Sequence, residues 1–162
     1  MSIGGRWPTL LGMPIAGLLW SLATLLGNHE QVAALGVSQT EALVFVSLGG
    51  TAQTAAIWVG FSIIVWAMIR AFGARASMAR VSALVSAEAL PFWFGAPALA
   101  YSLNCGLPGA KIATLAATVS LALFLYGLTR GLVTEMSWTV IRASGAVAAS
   151  FIFIASFAYL AV

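Results

Sequence analysis

Residues 51–70 read TAQTAAIWVGFSIIVWAMIR, and this stretch decides the class of fold. It contains no charged side chain before Arg70, and most of its residues are apolar. The hydrocarbon core of a bilayer is about 30 Å thick, so about 20 apolar residues of α-helix are needed to cross it. The stretch therefore predicts a transmembrane helix that begins near Thr51 and ends near Phe72.

The composition of all 162 residues agrees with a membrane environment. Hydrophobic residues make up 62% of the chain and charged residues 7%, with a mean hydropathy of +1.04. Because a soluble domain carries about 25% charged residues, a separate soluble domain is excluded. Disorder needs low hydrophobicity, and a disulfide scaffold needs more cysteines than Cys105.

Charges, prolines and glycines divide the chain into five apolar segments. These segments predict a polytopic, all-α transmembrane bundle that forms a single membrane domain. Five transmembrane helices are predicted, over about 8–27, 51–72, 78–103, 111–129 and 138–161. The first resembles a signal peptide in composition. Its apolar stretch is close to spanning length, however, and no clear cleavage site follows, so we interpret it as a retained helix.

The connection before residue 51 contains a capping-box pattern, Ser38-Gln39-Thr40-Glu41, followed by a short apolar run. Gly49-Gly50 then predicts a break. A helix over about 39–48 is too short to span, so we expect it to lie at the interface. The alternative is that it prolongs the second crossing at its outer end.

The positions of the basic residues predict the orientation. With five crossings, six arginines fall on one side of the membrane and only Lys111 falls on the other. The positive-inside rule then predicts a cytoplasmic N-terminus and a periplasmic or otherwise distal C-terminus. We expect the chain in a bacterial inner membrane. The six are Arg6, Arg70, Arg75, Arg80, Arg130 and Arg142.

Glu88 is the charge that neither orientation nor a loop explains. It lies eight residues after Arg80, or about 12 Å along a helix, which places it inside the hydrocarbon. An ionisable residue there is costly and needs a partner or a proton. One interpretation is a proton or cation site. The other is a neutralised or hydrogen-bonded glutamate, with Ser82, Ser86 or Ser144 as donors.

Small residues and arginines supply the remaining candidate sites. Rows of small residues allow helices to approach closely, and the arginines between the second and third helices could contact anionic head groups or an acidic partner, although orientation alone also accounts for them. The candidate packing rows are Ala52, Ala56, Gly60 and Gly145, Ala149, and the candidate head-group contacts are Arg70, Arg75 and Arg80.

Catalytic and metal-binding patterns are absent from the sequence. There is no Asp, His29 is the only histidine, and Cys105 is the only cysteine. A lone histidine provides neither paired haem ligands nor a metal cluster. We therefore expect no enzyme activity, no cofactor and no nucleic-acid partner. The expected partners are membrane lipids, other membrane chains or further copies of this chain.

The topology resembles that of the Yip1 family of five-helix membrane proteins. The residues that carry the resemblance are Phe72–Ser77 in the basic turn, Ala87–Pro91 in the third helix and Ser137–Ala143 at the start of the last. The resemblance implies an integral membrane protein. The small-residue rows, the short loops and the lack of catalytic patterns further lead us to expect a non-enzymatic protein that acts through helix–helix contacts as a membrane organiser or accessory subunit of a larger complex. The alternative is a small proton- or cation-coupled transporter or channel that uses Glu88.

Overall fold

A computed structural model describes residues 7–34, 36–103 and 109–160, the first and last four of them by backbone alone. Every regular element in these ranges is an α-helix, as the sequence predicts. The seven helices are α1 (Trp7–Gly27), α2 (His29–Ala34), α3 (Gln39–Ala71), α4 (Met78–Glu88), α5 (Phe92–Leu103), α6 (Ala110–Met136) and α7 (Val140–Leu160).

The long helices have the length and composition of membrane spans. Both α3 and α6 are long and apolar enough to cross a bilayer, and α4 with α5 forms a third span if the bent pair is counted as one. Apolar segments of α1 and α7 are shorter in the described side chains, over Leu11–Gly27 and Val140–Ser156. The chain is therefore a membrane protein with two or three helices of spanning length.

The contacts between five helices close into a ring. Going round the ring, α1 packs against α3, α3 against α7, α7 against α6, α6 against α5, and α5 again against α1. The helix α4 contacts three of these helices, α1, α3 and α6. Val81, Val85 and Ala89 at the centre have no exposed surface. The core of the bundle is thus built on α4.

The predicted interfacial helix over 39–48 is wrong, because α3 runs unbroken from Gln39 to Ala71. The alternative expectation, a prolonged second crossing, is confirmed. So is the capping box, in which Ser38 and Glu41 bond to each other's backbone N–H groups. The expected break at Gly49-Gly50 does not form, since Gly50 lies against Ser21 of α1, where a helical glycine is needed for close packing.

The predicted third helix, 78–103, is divided by a bend of 66°. The bend follows from Pro91, which has no N–H to bond to the carbonyl four residues before it. Shorter bonds replace the helical ones there, with the Phe92 N–H 2.9 Å from the Ala89 carbonyl oxygen. The fourth predicted helix continues past residue 129 to Met136 and ends at Ser137, whose φ of 52° is left-handed.

Four helix termini meet at one end of the bundle, which we call the arginine end. Here Arg80 at the start of α4 forms a salt bridge with Glu135 near the end of α6, and its Nε lies 2.6 Å from Oε2. Arg142 at the start of α7 donates to the carbonyl of Phe72, directly after α3. The arginine end therefore ties α4 to α6 and α7 to α3.

The surface of the bundle is largely apolar, and its interior contains several serine hydroxyl groups. Large exposed side chains include Ile57, Phe94, Ile112 and Ile141. Buried serines such as Ser150 donate to a carbonyl oxygen four residues earlier in the same helix. Such a surface suits lipid, in which backbone and hydroxyl groups must be satisfied internally.

Candidate functional site

Glu88 lies directly before the bend that separates α4 from α5. It is the last residue of α4, and the chain bends at Ala89–Pro91 before α5 begins. Ala89, its neighbour, is completely buried, whereas Glu88 itself is half-buried. Glu88 therefore lies where α4 ends and the bend begins.

A glycine notch on α6 receives the Glu88 side chain. A methyl group built on Gly127 would lie 2.3 Å from Oε2 of Glu88, and one on Gly131 would lie 3.4 Å from Oε1. The first distance is far shorter than any normal contact. Gly127 and Gly131 are four residues apart and thus share one helix face. The carboxylate fits against α6 because that face has no side chains at this level.

Among the described residues, no group donates a hydrogen bond to the Glu88 carboxylate. None of the three serines that the sequence suggested does so. The Ser86 hydroxyl instead lies 3.4 Å from the Met13 N–H, which donates to it, and Ser144 lines an outer groove between α6 and α7. A carboxylate without a partner is costly in a membrane interior, so Glu88 is a candidate for protonation or for cation binding.

Most close approaches between helices in this chain are made by glycine. Gly17 of α1 lies against Thr54 of α3, and Gly50 of α3 lies against Ser21 of α1. On the other side of the ring, Gly95 of α5 lies against Ser120 of α6. These small residues bring neighbouring backbones together, as is typical of packing between membrane helices.

Among the described residues, no other helix packs against the predicted row Ala52, Ala56, Gly60. Ala52 and Ala56 are exposed, and a methyl group on Gly60 would meet no atom within 4 Å. The helix α3 uses Gly50 and Thr54 to approach α1, two positions before Ala52 and Ala56 and thus on another face. We call Ala52, Ala56 and Gly60 the open row of α3.

The second predicted row lies within the bundle. Gly145 of α7 faces the ring of Phe72, with 3.3 Å between a built methyl group and Cε1. Ala149, one turn further along, is half-buried. This row lies on the side of α7 that packs against α3.

The three arginines of the turn between α3 and α4 have different surroundings. The Arg70 guanidinium lies over the Trp66 ring at 5.0 Å from its centroid, and Arg80 is paired with Glu135. Arg75 is exposed. Among the described residues, Arg75 is thus the one of the three with neither a ring contact nor an ion pair.

Three tryptophans link elements in a way that the sequence did not predict. Indole N–H groups donate from Trp58 to the Ser82 carbonyl, from Trp66 to the Ala76 carbonyl and from Trp93 to the Gly12 carbonyl, all at 2.9–3.0 Å. A buried indole needs a hydrogen-bond acceptor, so the tryptophans themselves indicate that such bonds form. The sequence does not identify the acceptors, because each is a backbone carbonyl outside the helix that carries the tryptophan.

No known family model, curated protein or solved structure matches the chain. The resemblance to the Yip1 family therefore stays a prediction from residues 72–91 and 137–143. Within the described ranges, no three His, Cys, Asp or Glu side chains come together as metal ligands. His29 is exposed, with its Nδ1 3.2 Å from the Leu26 carbonyl oxygen, and Cys105 lies outside the described residues.

Proposed function

We propose that this chain is a five-crossing, non-enzymatic membrane protein, Yip1-like in its organisation, that acts by helix–helix contact with another membrane chain or a second copy. In this proposal it organises its membrane or serves as an accessory subunit of a larger complex. Its N-terminus and arginine end are cytoplasmic, its C-terminus is on the opposite side, and the membrane is the inner membrane of a bacterium. The six-to-one distribution of basic residues supports this orientation.

The open row of α3 is the observation that carries the proposal. Small residues elsewhere in the bundle are in use, such as Gly17 against Thr54 and Gly95 against Ser120. The open row has the same character and spacing, yet no helix of this chain covers it. A face that lets backbones approach closely is the kind that membrane helices use for association.

Photo-crosslinking tests this proposal in native membranes. A photoreactive residue replaces Ala56 in the open row or, as the control, Ala122, which is also an exposed alanine but lies on α6. We expect one defined protein adduct from position 56 and none from position 122. Adding Gly60→Leu should reduce the adduct about tenfold, because the bulky side chain prevents close approach. Equal adducts at the two positions would contradict the proposal.

The second candidate function is proton- or cation-coupled transport through Glu88. A specific observation favours it, namely a carboxylate with no described hydrogen-bond donor at the bend between α4 and α5. Broken helices and intramembrane acids are typical of transport sites. The apolar core around α4, with Val81 and Val85 fully buried, favours the helix-contact function instead.

Reconstituted flux separates the two functions. Purified protein in vesicles is assayed for proton and monovalent-cation uptake, alongside Glu88→Gln and the control Glu135→Gln at the arginine end. Transport through Glu88 predicts uptake by the unaltered protein and by Glu135→Gln, and none by Glu88→Gln. If unaltered protein and Glu88→Gln both match empty vesicles, the transport hypothesis is wrong.

A further inference from the structure

A groove of about 670 Å³ runs along the outer surface of the bundle between α6 and α7. Much of its wall is hydrocarbon, with Leu125 on one side and Val147, Phe151 and Ile152 on the other. Phe151 and Ile152 are exposed, so the groove opens outward. In a membrane, such an opening faces the acyl chains.

The positively charged side chain of Arg130 forms part of the wall of this groove. Arg130 is six residues before the end of α6, about 9 Å from the arginine end along the helix. Its Nη1 donates to the Tyr126 hydroxyl at 3.0 Å, and its Cζ is 5.8 Å from the centroid of the Tyr126 ring. No described carboxylate forms an ion pair with Arg130, and Glu135 is paired with Arg80. Arg130 therefore has no ion-pair partner among the described residues.

A hydroxyl reaches the same groove from the other helix. Ser144 of α7 lines it and is exposed, and none of the described groups forms a hydrogen bond with the Ser144 side chain. A guanidinium and a hydroxyl that border one groove are donors suited to a phosphate group.

We propose that the α6–α7 groove binds an anionic phospholipid from the leaflet at the arginine end. The phosphate lies at Arg130 and Ser144, and an acyl chain follows Leu125, Val147 and Phe151. Basic pockets between helices on the positively charged side of a membrane protein are suited to anionic head groups. This site is different from the turn arginines that the sequence suggested, because it combines a charge with an apolar channel.

The charge distribution selects a lipid over a partner helix. A helix seated in the groove would bury the Arg130 guanidinium and would need its own acidic group at that depth, which is costly in a bilayer. A phospholipid brings its phosphate and its hydrocarbon in one molecule. At the same end, Arg80 is paired with Glu135 and Arg142 donates to the Phe72 carbonyl outside the groove, whereas Arg130 lines the groove itself.

Native mass spectrometry tests the proposal on the full chain in detergent, with an equal mixture of phosphatidylglycerol and phosphatidylcholine. We expect preferential retention of phosphatidylglycerol, and about a fivefold loss of it in Arg130→Gln. Lys111→Gln also removes one positive charge, at an exposed residue outside the groove, and should leave retention unchanged. Ala148→Phe fills the groove and should reduce retention, whereas Ala155→Phe, at another exposed alanine of α7 outside the groove, should not.

Three results would overturn the assignment. Equal losses in Arg130→Gln and Lys111→Gln would show a general attraction to the positive charge of the chain. Equal retention of the two lipids would show an apolar groove without head-group recognition. Displacement of phosphatidylglycerol by soluble glycerol phosphate would show an anion site that needs no acyl chain.

Discussion

The absence of a single methyl group at Gly127 determines where Glu88 can lie. The glycine notch allows the carboxylate to approach α6, since an added methyl group would lie 2.3 Å from Oε2. In the middle of an exposed helix, alanine is instead more stable than glycine by about 0.5–1 kcal/mol. Whether a glycine-to-alanine substitution raises or lowers the stability of the protein therefore shows how closely that residue is packed.

We predict that Gly127→Ala destabilises the protein by about 1 kcal/mol, the low end of the cost of overpacking, because the methyl group displaces the flexible end of the Glu88 side chain. Gly49→Ala is the matched control, since a methyl group there meets nothing within 4 Å, and it should be neutral or stabilising. Thermal unfolding in detergent measures both. Combining Gly127→Ala with Glu88→Ala should remove most of the loss. If the stability losses of Gly127→Ala and Glu88→Ala simply add in the double variant, the notch does not hold the Glu88 side chain.

Local residue chemistry could be predicted from the sequence, and distant contacts could not. The capping box of Ser38 and Glu41 was predictable because its hydrogen bonds join residues three apart. The depth of Glu88 in the membrane stays a prediction from counting residues. Its position against Gly127 depends on how α4 and α6 are packed, and nothing near either residue in the sequence encodes that.

At the scale of helices, α1 approaches α4 and α3 by two different kinds of contact. A methyl group on Gly12 would lie 1.9 Å from the backbone oxygen of Ser86, whereas one on Gly50 would lie 1.7 Å from the side-chain oxygen of Ser21. A side chain can be removed by mutation, but a backbone oxygen cannot. The two helix crossings should therefore respond differently to compensating changes.

We predict that Gly12→Ala and Gly50→Ala both destabilise the bundle and that only the second can be rescued. Ser21→Gly in the Gly50→Ala background removes the clashing hydroxymethyl group and should recover most of the melting temperature. Ser86→Gly in the Gly12→Ala background leaves the backbone oxygen in place and should recover little. Melting temperatures of the four variants in one detergent decide the matter. Equal rescue in both pairs would show that the α1–α4 approach is looser than described.

The Trp58 indole hydrogen bond joins α3 to α4, the next helix along the chain. Trp58→Phe keeps an aromatic ring but loses the N–H that donates to the Ser82 carbonyl of α4. We predict a loss of about 1 kcal/mol, the usual net value of one hydrogen bond. Trp20→Phe is the control, because no described acceptor bonds to the Trp20 indole. A similar loss in both variants would assign the effect to ring size rather than to the hydrogen bond.

The helix boundaries show where local signals fail. Gly49-Gly50 is a sound break signal, yet α3 continues through it because α1 packs closely against Gly50. Pro91 did bend its segment, but the 78–103 stretch is long and apolar enough to be predicted as one crossing. Tertiary contacts decided the first case and backbone geometry the second.

The molecule as a whole has one end that is rich in charge and a wall that is apolar. Composition alone predicted the all-α membrane class, because 7% charged residues cannot cover a water-facing surface. Which helices contact one another in the ring could not be predicted, because this depends on which helix surfaces are complementary in shape. The orientation remains a prediction from six arginines on one side against Lys111 on the other.

Cysteine accessibility tests this orientation in intact cells. In a Cys105→Ser background, Ala79→Cys places a thiol at the arginine end, and Gln31→Cys places one on α2 at the opposite end; both positions are exposed and uncharged. Because arginine-rich connections stay on the cytoplasmic side, an impermeant maleimide should label Gln31→Cys in intact cells. It should label Ala79→Cys only after the membrane is permeabilised. Labelling of Ala79→Cys in intact cells would reverse the orientation, and with it the leaflet assigned to the α6–α7 groove.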